Sequence, residues 1–182
     1  LDSARRTLAR CVELAAACDL GDLQWKANTV LGIAEAMAGN LQPAMKHLNL
    51  AVEAATRAGN LKAVGRTLIN IGNTQNQLGL NVEAAETAQR ALDIARDVQD
   101  DAAVVSAMVL LGISRLRAGD FDGAEATWLQ ALEPAQQLGA TRTVGNLHAN
   151  LAVGKHRRGY LESARKHFTE ASRHFEQAGA RH

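Results

Sequence analysis

Residues 64–95 read VGRTLINIGNTQNQLGLNVEAAETAQRALDIA, and this stretch decides the fold. Val64, Leu68, Ile71 and Gly72 fall at i, i+4, i+7 and i+8, which is one face of an α-helix. Gly79 ends that helix, because glycine accepts the left-handed conformation that follows a helix end. Asn81 can then cap a second helix, whose apolar face carries Ala84, Ala88, Ala91, Leu92 and Ala95. A pair of helices this short cannot bury both faces alone, so neighbouring pairs must stack on it.

The neighbours are copies. Gly39, Gly79, Gly119 and Gly159 recur every 40 residues, and Ala4, Ala44, Ala84, Ala124 and Ala164 share the spacing. So do Leu31, Ile71, Leu111 and Leu151, and Gly32, Gly72 and Gly112, with Ala152 in the fourth copy. Nine helices are expected, near 2–18, 23–38, 41–57, 62–78, 82–98, 102–118, 121–138, 142–158 and 161–178. Residues 1–20 read as the second helix of a truncated repeat, and 21–60, 61–100, 101–140 and 141–180 as four full repeats, so the chain reads as a fragment of a longer protein. The glycine column lets the helices of a pair approach, with Ala44, Ala84, Ala124 and Ala164 opposite. Leu48, Ala88, Trp128 and Phe168 are expected to fill the space between pairs. Asn40, Asn60, Asp100 or Asp101, Asp120 and Thr141 are further cap candidates, and Pro134 predicts a kink or an early helix end.

Composition agrees. Of the 182 residues 47% are apolar, with 35 Ala and 23 Leu but six aromatics, so helices are favoured and an all-β fold is excluded. Cys11 and Cys18 lie two helical turns apart, about 10 Å, which is beyond disulfide reach. They read as free thiols in a reducing cytoplasm. No apolar stretch is long enough to span a membrane. The net charge of +1 favours neither nucleic acid nor a membrane surface. The charge is uneven, however: residues 1–140 carry a net −4 and residues 141–182 a net +5, with five of the six histidines in the latter. This reads as a solvated polar surface on the last helices, or alternatively as a docking surface for an acidic partner.

Chemical motifs are missing. There is no GxxxxGK[ST], GxGxxG or HExxH pattern. His148 and His156 are eight apart and His167 and His174 seven apart, each roughly on one helix face, but with no third ligand they read as surface histidines. Lys155-His156-Arg157-Arg158 is too short a run to claim nucleic acid. No catalytic residue, metal or cofactor is expected, and the chain reads as non-enzymatic.

Leu31-Gly32, Gly39, Ala44 and Ala51 resemble the tetratricopeptide repeat, as do Ile71-Gly72, Gly79, Ala84 and Ala91, and Leu111-Gly112, Gly119, Ala124 and Ala131. The family's aromatic in the first helix is replaced by Glu35, Gln75, Arg115 and Lys155, and the repeat is 40 residues long rather than about 34. Asn70-Ile71-Gly72-Asn73-Thr74 is similar to the run found in the longer form, used by Pins-type scaffolds and by sensor arrays of bacterial transcription regulators and signalling ATPases. The resemblance implies an all-α, right-handed α-solenoid of antiparallel helix pairs. It also implies a concave face, lined by the first helix of each pair, that binds a protein or peptide. Helical spacing turns Lys26, Arg66, Asn73, Asn76, Gln77, Arg117, Asn146, His156 and Arg157 inward as candidate ligand contacts, with Ile69, Val109, Ile113 and Leu116 offering apolar contact. The family's clamp for chaperone tails is not matched, since Ile69 and Leu110 stand where it needs Lys and Asn. The expected function is a non-catalytic interaction or sensor region of a larger bacterial regulatory protein, acting on neither nucleic acid nor membranes. The alternative is a scaffold or spacer that self-associates through Leu8, Val12 and Ala15.

Overall fold

A computed structural model of the chain describes residues 7, 10, 12–14 and 21–179. Most of the expected first helix, both cysteines, Leu8 and Ala15 lie outside the described residues. From residue 21 onward the chain forms α1 (Gly21–Met37), α2 (Leu41–Arg57), α3 (Leu61–Gln77), α4 (Asn81–Asp97), α5 (Asp101–Ala118), α6 (Phe121–Gln137), α7 (Thr141–Arg157) and α8 (Leu161–Gly179). Each of these starts and ends within two residues of the expected bounds, and no strand occurs among the described residues.

The turns set the helix register. Gly39, Gly79, Gly119 and Gly159 adopt φ of 82°, 80°, 92° and 81°, as the first glycine column requires. The turns between repeats use the same device at Gly59 (φ 66°) and Gly139 (φ 64°), and there the third member is Gln99 (φ 54°). The residue after each of these bends returns its N–H to a carbonyl five residues back, as Asn40 does to Glu35 and Asn60 to Ala55, both at 2.9 Å. Gln99 is exposed and gains nothing visible from its strained backbone. Gln99→Gly therefore raises stability by about 0.5–1 kcal/mol, after the larger chain entropy of glycine is subtracted. The readout is a higher urea midpoint at unchanged slope.

Because the bend fixes the register, the following residue becomes the N-cap whatever its type. Asn60, Asp100 and Asp120 suit the place and accept from the backbone N–H of Ala63, Ala103 and Gly123 at 3.0, 3.4 and 2.9 Å. The expectation fails at Asn81 and Thr141: Leu80 and Ala140 hold the cap positions, and Asn81 and Thr141 are the first helical residues. Asn40 is in place but makes no cap bond, since its amide donates to Glu35 Oε2 at 2.7 Å. Pro134 does not end α6, which runs on to Gln137. The proline sits in the last turn, and the carbonyl it deprives belongs to the exposed Gln130, which water can reach.

The core is built on small residues. Ala44, Ala84 and Ala124 are fully buried. A Cβ on Gly32 would lie 2.7 Å from Leu48 Cγ and 3.2 Å from the Ala44 carbonyl oxygen, and one on Gly112 would lie 2.6 Å from Trp128 Cδ1. Trp128 fills the volume between α5, α6 and α7, 1% exposed, and its Nε1 donates to the Val109 carbonyl at 3.2 Å. Ala88 is too short to do this. In its place Leu110 leans in from α5, 2.7 Å from where a Gly72 Cβ would stand. Phe168 departs from the expected filling role: it lies 46% exposed on α8.

Consecutive helices pack side by side along the whole array. The first helices of successive pairs, α1, α3, α5 and α7, also touch one another, whereas α2, α4, α6 and α8 do not among the described residues. The more closely spaced layer is the inside of the curve, so the first helices line the concave face.

Candidate ligand groove on the inner face

Three repeats contribute to one groove of about 540 Å³. Ile33 and Met37 come from α1, Asn70, Asn73 and Gln77 from α3, and Ile113 and Arg117 from α5. Met37 is 80% exposed, an apolar side chain held in water at the groove edge. Arg117 is anchored: its Nη1 donates to the Asn76 carbonyl at 2.7 Å. That carbonyl lies in the last turn of α3, where a cation is favoured by the helix dipole. The rest of the guanidinium remains exposed. Asn76 itself is buried, and its Nδ2 donates to Ser114 Oγ at 2.8 Å, which in turn donates to the Leu110 carbonyl at 2.9 Å. It stiffens the groove wall and offers little surface to a ligand.

The helix phase explains which inward candidates are free. Met37, Gln77 and Arg117 are exposed, and the residue before each turns away from solvent. Leu116 is therefore a correction: it is buried in the core and cannot receive a ligand side chain. Ile69, Val109 and Ile113 are half-buried.

The remaining candidates stand apart from this groove. Arg66 lies one repeat-turn earlier on α3 and grips Asp100, with Nε to Oδ2 at 2.7 Å and Nη2 to Oδ1 at 3.2 Å. Lys62 Nζ adds a third cationic contact at 3.7 Å. Asp100 is buried, and the Arg66 guanidinium holds its carboxyl below the usual carboxylate range against the opposing effect of burial. The pair joins α3 to the N-cap of α5, so Arg66 is committed to coupling repeats. Lys26 is exposed, its Nζ 5.4 Å from the Trp25 ring centre. Asn146, His156 and Arg157 are exposed on α7, outside the groove.

Sequence reading missed two features. Asn70 belongs to the groove wall, one helical turn before Asn73, and that spacing was the available signal. The second is electrostatic. The four inner helices carry eight Lys or Arg against three Asp or Glu, and the four outer helices seven against eleven. Of the three inner acids, Asp22 and Asp101 sit in first turns and Glu35 is buried. The basic excess of residues 141–182 is in part matched across helices, as in Lys155–Glu125 and in Arg158–Asp122 at 2.7 Å.

No protein-family model matches the chain, and no curated protein matches it in sequence. Solved structures do. A kinesin-light-chain-like protein of Podosopora anserina, with nearly identical TPR-like repeats, superposes with a TM-score of 0.79 at 13% identity over 98% of this chain and 88% of that one. The fold is a tetratricopeptide-type helical repeat. The Rap conjugation gene regulator of the plasmid pLS20, solved with the Phr* peptide, gives a TM-score of 0.73 at 21% identity over 87% of this chain. A signal-transduction ATPase of Pyrococcus horikoshii with a tetratricopeptide repeat sensor gives 0.74 at 19% identity over 85%. The present chain spans 44% of the Rap chain and 24% of the ATPase chain. Among the described residues, no helix of this tetratricopeptide-type array is long and apolar enough to cross a membrane.

Proposed function

We propose that this chain is a non-catalytic protein- or peptide-binding module, the interaction or sensor region of a larger cytoplasmic bacterial regulatory protein, and that it takes an acidic segment of its partner on the concave face. The observation that carries this reading is the composition of the groove. Amides on α3 can bond an extended backbone, Ile33, Met37 and Ile113 can seat an apolar side chain, and Arg117 can pair with a carboxylate. The inner helices around it carry eight Lys or Arg against three Asp or Glu, which favours an anionic occupant. The likeness to a Rap regulator solved with a peptide, and to an ATPase that carries a repeat sensor, supports the same class of role.

The test uses twelve-residue peptides selected on the immobilised protein from a random library. Asn73→Ala/Arg117→Ala lowers their affinity at least tenfold and leaves helicity and melting nearly unchanged. Selected peptides are enriched in Asp and Glu. Equal affinity for both proteins contradicts the groove as the binding surface.

A further inference from the structure

We propose that His148 and His167 form an acid-sensitive latch between α7 and α8, closed while the pair holds at most one proton and broken by the second. Their Nδ1 atoms lie 3.1 Å apart. One ring donates its N–H to the lone pair of the other, so at least one of the two has to be neutral. A single added proton keeps the bond, as an imidazolium donating to a neutral imidazole. A second proton removes the acceptor and leaves two cations at hydrogen-bond distance, with both rings half-buried.

The other repeats show what sets this pair apart. The same two positions hold Asn28 and His47 in the first repeat, Leu68 and Thr87 in the second, and Met108 and Thr127 in the third. Asn28 Oδ1 lies 3.0 Å from His47 Nδ1, and an amide oxygen still accepts when that imidazole is charged. The second and third repeats carry no group there that titrates near neutral pH. Of the four repeats, the fourth alone has a bond at this place that protonation of both partners destroys.

The surroundings do not compensate a second proton. His148 is faced by His167, His174, Glu170 and Arg173, and His167 by Lys155, Glu125 and Glu170. Both carboxylates are already engaged: Glu170 by Arg173 at 2.7 Å, and Glu125 by Lys155 and Arg158. His174 stacks on His148 with ring centres 5.7 Å apart and adds a third imidazole. Burial first, and then the neighbouring positive charges, hold the imidazoles of His148 and His167 below the usual histidine value. The unfolded chain takes up both protons as the pH falls through about 6.5, whereas the folded pair takes up no more than one until well below that. Unfolding in this window therefore absorbs about one extra proton, and stability that is fully present above pH 6.5 is lost toward pH 5. The latch joins the two helices of the repeat that carries Asn146 and Arg157.

The test compares urea unfolding of the wild type and of His148→Met/His167→Thr at pH 7.5 and at pH 5.0. The variant installs the pair that the third repeat already uses. One proton of linkage changes the unfolding constant by about tenfold per pH unit. Between the two pH values the wild type's unfolding constant therefore rises at least tenfold more than the variant's. Equal rises overturn the proposal, since the acid sensitivity then lies in other groups. Proton NMR of the histidine Cε1–H resonances in the wild type tests the same point without a variant. From pH 8 down to 5 the folded pair takes up no more than one proton between His148 and His167. Two full titrations near pH 6.5 in the folded protein overturn the latch.

Discussion

Trp128→Ala lowers stability by about 3–5 kcal/mol, the largest effect of any single substitution considered for this chain. The side chain is 1% exposed and packs against Gly112 on α5, and its indole N–H bonds the Val109 carbonyl. It also reaches α7, where a Cβ on Gly154 would meet its ring at 3.6 Å. Removing it opens a cavity that a backbone fixed at three helices cannot close. In a linear repeat array, stability is the sum of repeat terms and nearest-neighbour interface terms. The loss therefore falls both on the third repeat itself and on its interface with the fourth. Urea unfolding followed by circular dichroism shows a lower midpoint, and the transition broadens as the last repeat separates from the rest. Phe168→Ala, at the same repeat position but 46% exposed, costs less than about 1 kcal/mol. Equal costs for the two substitutions contradict the packing described here.

Arg117→Glu/Arg157→Glu lowers affinity for an acidic peptide about a hundredfold. Both guanidiniums are exposed on inner helices, and reversing them sets like charges against the ligand, a penalty of several kcal/mol when the contact is close. Stability changes little by comparison: the bond lost is that of Arg117 to the Asn76 carbonyl. Fluorescence anisotropy of a labelled peptide at rising NaCl reads the effect. Wild-type binding weakens with salt because surface charges are screened, and the variant's residual binding depends on salt far less. A loss below threefold means that the positive charge of the inner helices, in the groove at Arg117 and beyond it at Arg157, does not select the ligand.

The fold was legible because glycine and alanine columns at one spacing carry both topology and register. Gly39, Gly79, Gly119 and Gly159 all occupy the left-handed conformation expected of them. The second bend column was hidden, because Gln99 breaks it between Gly59 and Gly139. The caps were misread for a related reason. Residue type suggested Asn81 and Thr141, but the length of the turn chose Leu80 and Ala140.

The groove was partly legible. Helical phase found Asn73, Gln77, Ile113 and Arg117, whereas Asn76 and Leu116, one residue away, turn inward and become wall and core. Arg66 looked like a free cation, since nothing in its own helix reveals a partner 34 residues onward. The charge separation was invisible to a division of the chain at residue 140. It emerges when the helices are sorted by layer, because in the second and third repeats the inner helix leans basic and the outer one acidic, and α7 adds a further excess of Lys and Arg to the inner layer.

Hydrogen exchange followed by mass spectrometry, with and without a saturating acidic peptide selected on this protein, reads the binding face directly. The groove predicts slower exchange in the inner helices around 66–77 and 106–118, with α2, α4 and α6 unchanged. Protection confined to those outer helices, or none at all in α3 and α5, contradicts recognition on the concave face.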